Sequence, residues 1–254
     1  MIFDCHTHTK FSADSEMLAS DAINRAKNLN IGIIFTEHFD YDVPGEYDFT
    51  FDPKKYFDEY KNLRGEKIRL GVEVGLRKSA RKINKNFIDS ADFDLVIGSI
   101  HLVDDFDIYY PEFFEGKDKN TAYKKYFAAM IEEAAVEDFD VLGHIDYICR
   151  SAPYENPALD YENFKSEIDE VLKIIVEREK ILELNTRRLD KKSVFEELLP
   201  IYRKYKTFGG KFITIGSDAH KVENVGKNFQ TALEFAEELN LMPVTFSRRS
   251  IGLE

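Results

Sequence analysis

The sequence predicts one α/β domain over residues 1–254, a parallel sheet curled into a distorted TIM-like barrel. Three observations carry this. Short apolar, β-branched runs alternate with helically spaced stretches along the whole chain. The runs recur at roughly 30–40 residues, the length of a βα unit. Residues able to bind a metal stand at the ends of runs spread from the first to the last. In an open sheet the outermost strand ends lie too far apart to share one site, whereas in a barrel every C-terminal strand end faces a common mouth.

The elements follow in order. The first strand spans 2–6 and leads into His6 and His8. Helical spacing over 19–29 precedes the strand 32–37, whose run GIIFTEH ends on His38. A helix over 53–63 precedes strand 68–74, in IRLGVEVG, and a helix over 80–89 precedes strand 94–100, in LVIGSIH. A helix over 119–136 leads to strand 139–144, which ends on His144. The helix at 161–178 has the clearest pattern, with Phe164, Ile168, Val171, Leu172 and Ile175 at helical intervals. Strand 181–185, helix 193–206 and strand 212–217, in ITIGSDAH, complete seven strands. No linker, repeat or low-complexity segment interrupts the rhythm.

Composition narrows the function. The chain is 43% hydrophobic over 254 residues, enough for a full core. It holds no apolar span long enough for a transmembrane helix, and its start lacks the regions of a signal peptide. With Cys5 and Cys149 as the only cysteines, a disulfide framework is excluded and a reducing cytoplasm is expected. No membrane partner is expected, and the net charge of −12 argues against tight binding of a nucleic-acid polymer. Action on one nucleotide or a chain end stays open. The oligomeric state is not legible.

All six histidines fall at or just past strand ends: His6, His8, His38, His101, His144 and His220. Residues i and i+2 of a strand share a face, so His6 and His8 can hold one ion. Asp218 and His220 repeat that spacing. A single His-x-His is a weak signal, and two of them with three further strand-end histidines form a strong one. Glu73 sits among apolar neighbours, where an unpaired carboxylate is costly. It is held by a buried cation or, in the better fit, bridges two metal ions. Asp14 lies in the polar run KFSADSE and reads by itself as a solvated turn residue. Mixed imidazole and carboxylate donors suit Zn, Mn or Fe, and this many donors exceed the needs of one tetrahedral ion. Two or three ions are expected, and hydrolysis of a phosphate ester is the natural chemistry.

Nucleophile-based alternatives are poor. The chain has no G-x-S-x-G elbow, P-loop or G-x-G-x-x-G. Alternation turns Cys5 away from the histidine pair, and Cys149 reads as a structural thiol.

The ordered set HTHTKFSAD, TEH, GVEVG, GSIH, GHID and SDAH resembles the PHP (polymerase and histidinol phosphatase) superfamily over nearly the whole chain. GSIH, GHIDYICR and LELNTRRL, with the length, are most similar to its stand-alone histidinol-phosphatase branch. The resemblance implies a (β/α)7 barrel and a trinuclear site. The first metal would take His6, His8, Glu73 and Asp218, which would hold the attacking metal-bound hydroxide. The second would take Glu73, His101 and His144, and the third Asp14, His38 and His220. Asp14 gains its role from this resemblance, standing where the family has a third-metal ligand. No ligand position is lost, which argues against a non-catalytic metal-binding module.

The implied reaction is hydrolysis of L-histidinol phosphate in histidine biosynthesis. The alternative is another PHP phosphoesterase, acting on nucleotides or nucleic-acid ends. Many relatives have a small residue and Gly after Asn-Thr, where this chain has Arg187 and Arg188. Those two and Arg150 are candidates to grip phosphate, or else form structural ion pairs. Two acidic, aromatic loops, 39–52 and 102–116, are expected at the mouth. Asp104, Asp105, Tyr109 and Tyr110 are the candidates to meet an ammonium and an imidazole, unless these loops are simply solvated.

Overall fold

The computed structural model describes residues 1–252. Seven main strands form as expected: β1 (Phe3–Thr7), β2 (Gly32–Phe39), β3 (Ile68–Gly75), β4 (Val96–Ser99), β7 (Val141–Leu142), β8 (Ile181–Asn185) and β9 (Phe212–Gly216). Between β4 and β7 lies a small hairpin, β5 (Leu102–Val103) and β6 (Phe106–Asp107). After β9 come β10 (Met242–Pro243) and a terminal hairpin, β11 (Thr245–Ser247) and β12 (Ser250–Gly252). The main sheet is parallel, in the order β1-β2-β3-β4-β7-β8-β9-β10.

The sheet closes at its C-terminal end. Thr7 bridges Ala219 in parallel, the His8 N–H donates to Ala219 O at 2.9 Å, and the Asp218 N–H donates to His6 O at 2.8 Å. At the opposite end β10 pairs with the start of β9. The result is a (β/α)7-type barrel, distorted because the first and last ligand-bearing segments zip together only at the mouth. The eighth strand was not expected. It has two residues, one of them Pro243, too little for a periodic signal.

Among the described residues seven α-helices surround the sheet: α1 (Ala19–Leu29), α2 (Pro53–Tyr60), α3 (Arg81–Ile88), α4 (Lys119–Ala134), α5 (Lys165–Glu177), α6 (Lys192–Thr207) and α7 (Phe229–Leu239). Local chemistry sets their ends. Asp52 caps α2 by accepting from the N–H groups of Lys54 and Lys55, with Pro53 in the first turn. Asp118 caps α4 through the Thr121 N–H. Left-handed Asn30 and Asn240 stop α1 and α7. In α5 the expected stripe Ile168, Val171, Leu172 and Ile175 is fully buried, each side chain contributing about 1.5–3 kcal/mol. Phe164 is buried just before its first turn.

Two apolar layers result. The larger lies between sheet and helices. The smaller holds Phe3, Cys5, Ile34, Leu95, Ile97, Val141, Ile181, Val244 and Phe246. These come from strands, strand edges and the terminal hairpin, with no helix, so they fill the barrel interior. Cys5 therefore does not face outward as alternation suggests. The β1–β2 register slips between Asp4 and Thr7, a bulge that breaks the alternation.

Candidate metal centre

Strand geometry delivers the six histidines to one mouth. Glu73 on β3 is their hub. Its Oε2 lies 3.2 Å from His6 Nε2, 3.5 Å from His8 Nε2 and 2.9 Å from His38 Nδ1. Its Oε1 lies 2.9 Å from His144 Nε2 and 3.3 Å from His101 Nε2, and accepts from the Ser99 hydroxyl at 2.7 Å. Glu73 is 0% exposed. Asp218 Oδ1 lies 3.5 Å from both His8 Nε2 and His220 Nδ1, and 3.9 Å from His6 Nε2. Asp14 Oδ2 lies 3.1 Å from His220 Nε2 and 3.8 Å from His38 Nε2.

Donor atoms within 4.8 Å of one another include the sets His6–His8–Glu73, Glu73–His101–His144, His8–His38–His220, His6–His144–Asp218 and His38–Asp40–His101. All nine residues expected as ligands thus gather in one place.

The cluster fits cations on its own chemistry. His6 Nε2, His8 Nε2, His38 Nδ1, His144 Nδ1 and Glu73 Oε2 are buried with no hydrogen-bond partner, a costly arrangement unless something else satisfies them. The His8 ring stacks on His38 and His220 at 4.1 and 4.2 Å. Burial and these two neighbours hold the His8 pKa well below the usual range, so His8 is a neutral donor. Burial pushes Glu73 up, yet His6, His101 and His38 together hold it well below the usual carboxylate range. Asp218 behaves alike, held down against burial by Arg150 and His6. The same carboxylates hold the His6, His38 and His101 pKa values up against burial, so this pocket of anions favours positive charge, which divalent ions bound by imidazole and carboxylate donors would supply.

Outer partners orient the rings. The Nδ1 atoms of His6, His8 and His101 face Glu183 Oε1 at 2.6 Å, Ser12 Oγ at 3.0 Å and Asp40 Oδ1 at 2.8 Å. His220 Nδ1 lies 3.0 Å from Asp218 O. The Ser12 hydroxyl donates onward to Glu37 Oε2 at 2.8 Å, and Glu37 also accepts from the Thr9 N–H and hydroxyl. In each of the four rings Nε2 is thereby left to face the centre. Sequence reasoning missed Asp40, Glu183, Ser12 and Glu37. Two signals were present: Asp40 follows His38 at i+2, and Glu183 lies in an apolar run as Glu73 does.

The mouth opens into a cavity of about 820 Å³ lined by His38, His101, His144, Asp218 and His220. Arg150, Arg187, Tyr109 and Tyr110 also line it. Arg150 is partly buried, 2.6 Å from Asp218 Oδ2, with its guanidinium over the Tyr147 ring. Arg187, 48% exposed, lies 3.6 Å from Asp218 Oδ1. Three expected contacts are not brought here. Arg188 is tied to Asp146 at 2.5 Å and Glu197 at 3.1 Å. Asp104 pairs with Lys125, and Asp105 with Arg77, in a neighbouring groove. Asp107 lines the cavity instead, because the β5–β6 turn carries 104 and 105 away while pairing Asp107 with Leu102 beside His101. Cys149 is buried 3.7 Å from the Tyr123 hydroxyl, as a structural thiol.

Comparisons with known proteins identify the family. The PHP domain family matches residues 4–187. A probable histidinol-phosphatase of Clostridium acetobutylicum is 45% identical over 250 residues, 98% of each chain. A histidinol-phosphatase of Lactococcus lactis is 35% identical over 225 residues, 85% of this chain and 83% of the relative. The crystal structure of histidinol phosphate phosphatase from Lactococcus lactis, complexed with zinc, L-histidinol and phosphate, superposes with a TM-score of 0.94 at 32% identity. That match covers 99% of this chain and 98% of the other. With its fold, its strand-end donors and these relatives in agreement, the chain belongs to the PHP family, in the stand-alone histidinol-phosphatase branch.

Proposed function

We propose that this protein is a metal-dependent phosphomonoesterase that hydrolyses L-histidinol phosphate to L-histidinol and phosphate, the histidine-biosynthesis step, with residues 1–254 acting as one domain. The observation that carries the chemistry is Glu73, a fully buried carboxylate in reach of five imidazoles. The substrate comes from the relatives, above all the Lactococcus lactis structure that holds zinc, histidinol and phosphate.

His6, His8, Glu73 and Asp218 would hold one ion, Glu73, His101 and His144 a second, and Asp14, His38 and His220 a third. Zinc suits this donor set, as do manganese and iron. Such ions, when bound, supply positive charge for the phosphoryl oxygens and bring the ionisation of water near neutral pH.

The chain's own residues do the rest. Glu73 and Asp218 anchor the donor set as anions. Arg150 and Arg187 converge on Asp218 at the cavity wall, where they can turn their N–H groups to phosphate. Tyr109, Tyr110 and Asp107 line the part of the cavity suited to an ammonium and an imidazole. Among the described residues, no helix is long and apolar enough to cross a membrane.

The test is phosphate release from L-histidinol phosphate beside p-nitrophenyl phosphate, a nucleotide and a short single-stranded oligonucleotide. Preference for L-histidinol phosphate is expected. Activity on the nucleotide or oligonucleotide alone would overturn the substrate and favour another PHP phosphoesterase.

A further inference from the structure

We propose that Glu183 is the positioning residue that fixes His6 for metal binding and joins it to the strand end carrying His144; this rests on the metal-dependent reading above. Glu183 lies on β8 and is fully buried. Its Oε1 is 2.6 Å from His6 Nδ1, and its Oε2 accepts the backbone N–H of His144 at 2.8 Å. The Asn185 amide also reaches Oε2, at 3.3 Å. Gly216 on β9 makes this possible, since a Cβ there would collide with both Glu183 Oε1 and His6 Cβ.

Donor and acceptor accounting makes the residue specific. A backbone N–H can only donate, and an ionised carboxylate can only accept. The Oε2 atom is committed to His144, and Oε1 makes His6 Nδ1 the donor nitrogen. His6 Nε2 is then the lone-pair nitrogen. That atom is buried without a hydrogen-bond partner, 3.2 Å from Glu73 Oε2, where the metal reading needs a donor. One carboxylate thus sets the tautomer of a ligand to the first ion and seats the backbone of a ligand to the second.

Glutamine, of the same shape, cannot replace it. With its oxygen toward His144, its NH₂ faces His6 Nδ1 and forces the proton onto Nε2. With its oxygen toward His6, its NH₂ opposes the His144 N–H, donor against donor. A merely space-filling role would tolerate the change.

The experiment compares full-length wild type and Glu183→Gln, both checked for cooperative thermal unfolding. Zinc affinity is measured by chelator competition, and the His6 tautomer by long-range ¹H–¹⁵N spectra of zinc-loaded, histidine-labelled protein. Zinc binding by Glu183→Gln is expected to weaken by about 10- to 100-fold, with the His6 proton moved to Nε2. Glu183→Gln with wild-type zinc affinity and an unchanged tautomer would overturn the inference alone. Wild type that takes up no zinc would overturn the metal reading and this inference with it. Should the variant fail to fold, zinc-loaded wild type still decides: a proton on His6 Nδ1 and none on Nε2 supports the inference, and the reverse sinks it.

Discussion

Asp40 Oδ1 lies 2.8 Å from His101 Nδ1, and the space it occupies exists because residue 75 is a glycine. A Cβ on Gly75 would collide with the Asp40 carboxyl. Gly75→Ala should cost about 1–3 kcal/mol through overpacking and lower turnover by about 10- to 100-fold as His101 loses its partner. Thermal unfolding and steady-state kinetics check both. Wild-type kinetics in this variant would show that Asp40 does not orient His101.

Glu73→Gln keeps the volume of the hub and removes its charge. The amide would aim donors at imidazoles that should offer lone pairs to cations. We expect kcat/KM to fall by on the order of 10²–10³ or more, with the far-ultraviolet circular dichroism unchanged. Zinc bound per chain, measured by atomic emission, should fall in parallel. A variant that keeps its full zinc content and activity would refute the role given to this carboxylate.

Much of this was legible in the sequence, for identifiable reasons. The histidines end apolar runs, so periodicity gives their strand positions, their spread from first strand to last argues for a common mouth, and the family resemblance supplies the ligand sets and the role of Asp14. Tertiary detail was less accessible. The bulge in β1 inverts the expected direction of Cys5, and nothing local marks it. The two-residue β10 gains its place only by pairing with β9. Asp104 and Asp105 read as mouth carboxylates by composition, yet a tight turn with both in left-handed conformation points them at Lys125 and Arg77. Glu183 carried the same signal as Glu73, a carboxylate within an apolar strand, and its role emerges only when His6 is brought to 2.6 Å across the barrel.

Adjacent arginines should separate cleanly. Arg187 is half exposed at the cavity, so Arg187→Ala should alter stability by only about 0.5 kcal/mol. Inhibition by inorganic phosphate should weaken by roughly 10-fold or more, the worth of a charged hydrogen bond. Arg188, 17% exposed, neutralises the buried Asp146 and the partly buried Glu197. Arg188→Ala should cost about 3–5 kcal/mol, and about 3 kcal/mol alone lowers Tm by about 6–12 °C. The reverse pattern in calorimetry and phosphate inhibition would contradict the assignment.

Acid–base behaviour away from the site is also specified. Glu137 is pushed up from 4.5 to about 7 by burial, by Glu133 and, less, by Asp138, against Arg81 and Asn84. The folded state therefore holds this proton more tightly than the unfolded chain. Its contribution is fully present below pH 4.5 and is lost as pH rises through about 7. The size is on the order of 1–3 kcal/mol. Glu137→Gln should flatten the decline across that window in urea unfolding followed by pH. An unchanged slope would show that Glu137 titrates normally.

The most direct measurement is kcat/KM for L-histidinol phosphate on purified protein as prepared, after chelation, and after zinc is restored. Turnover is expected to be lost with chelator, with the fold retained, and to recover on adding zinc. Undiminished hydrolysis by protein shown to be metal-free would contradict the metal-dependent reading.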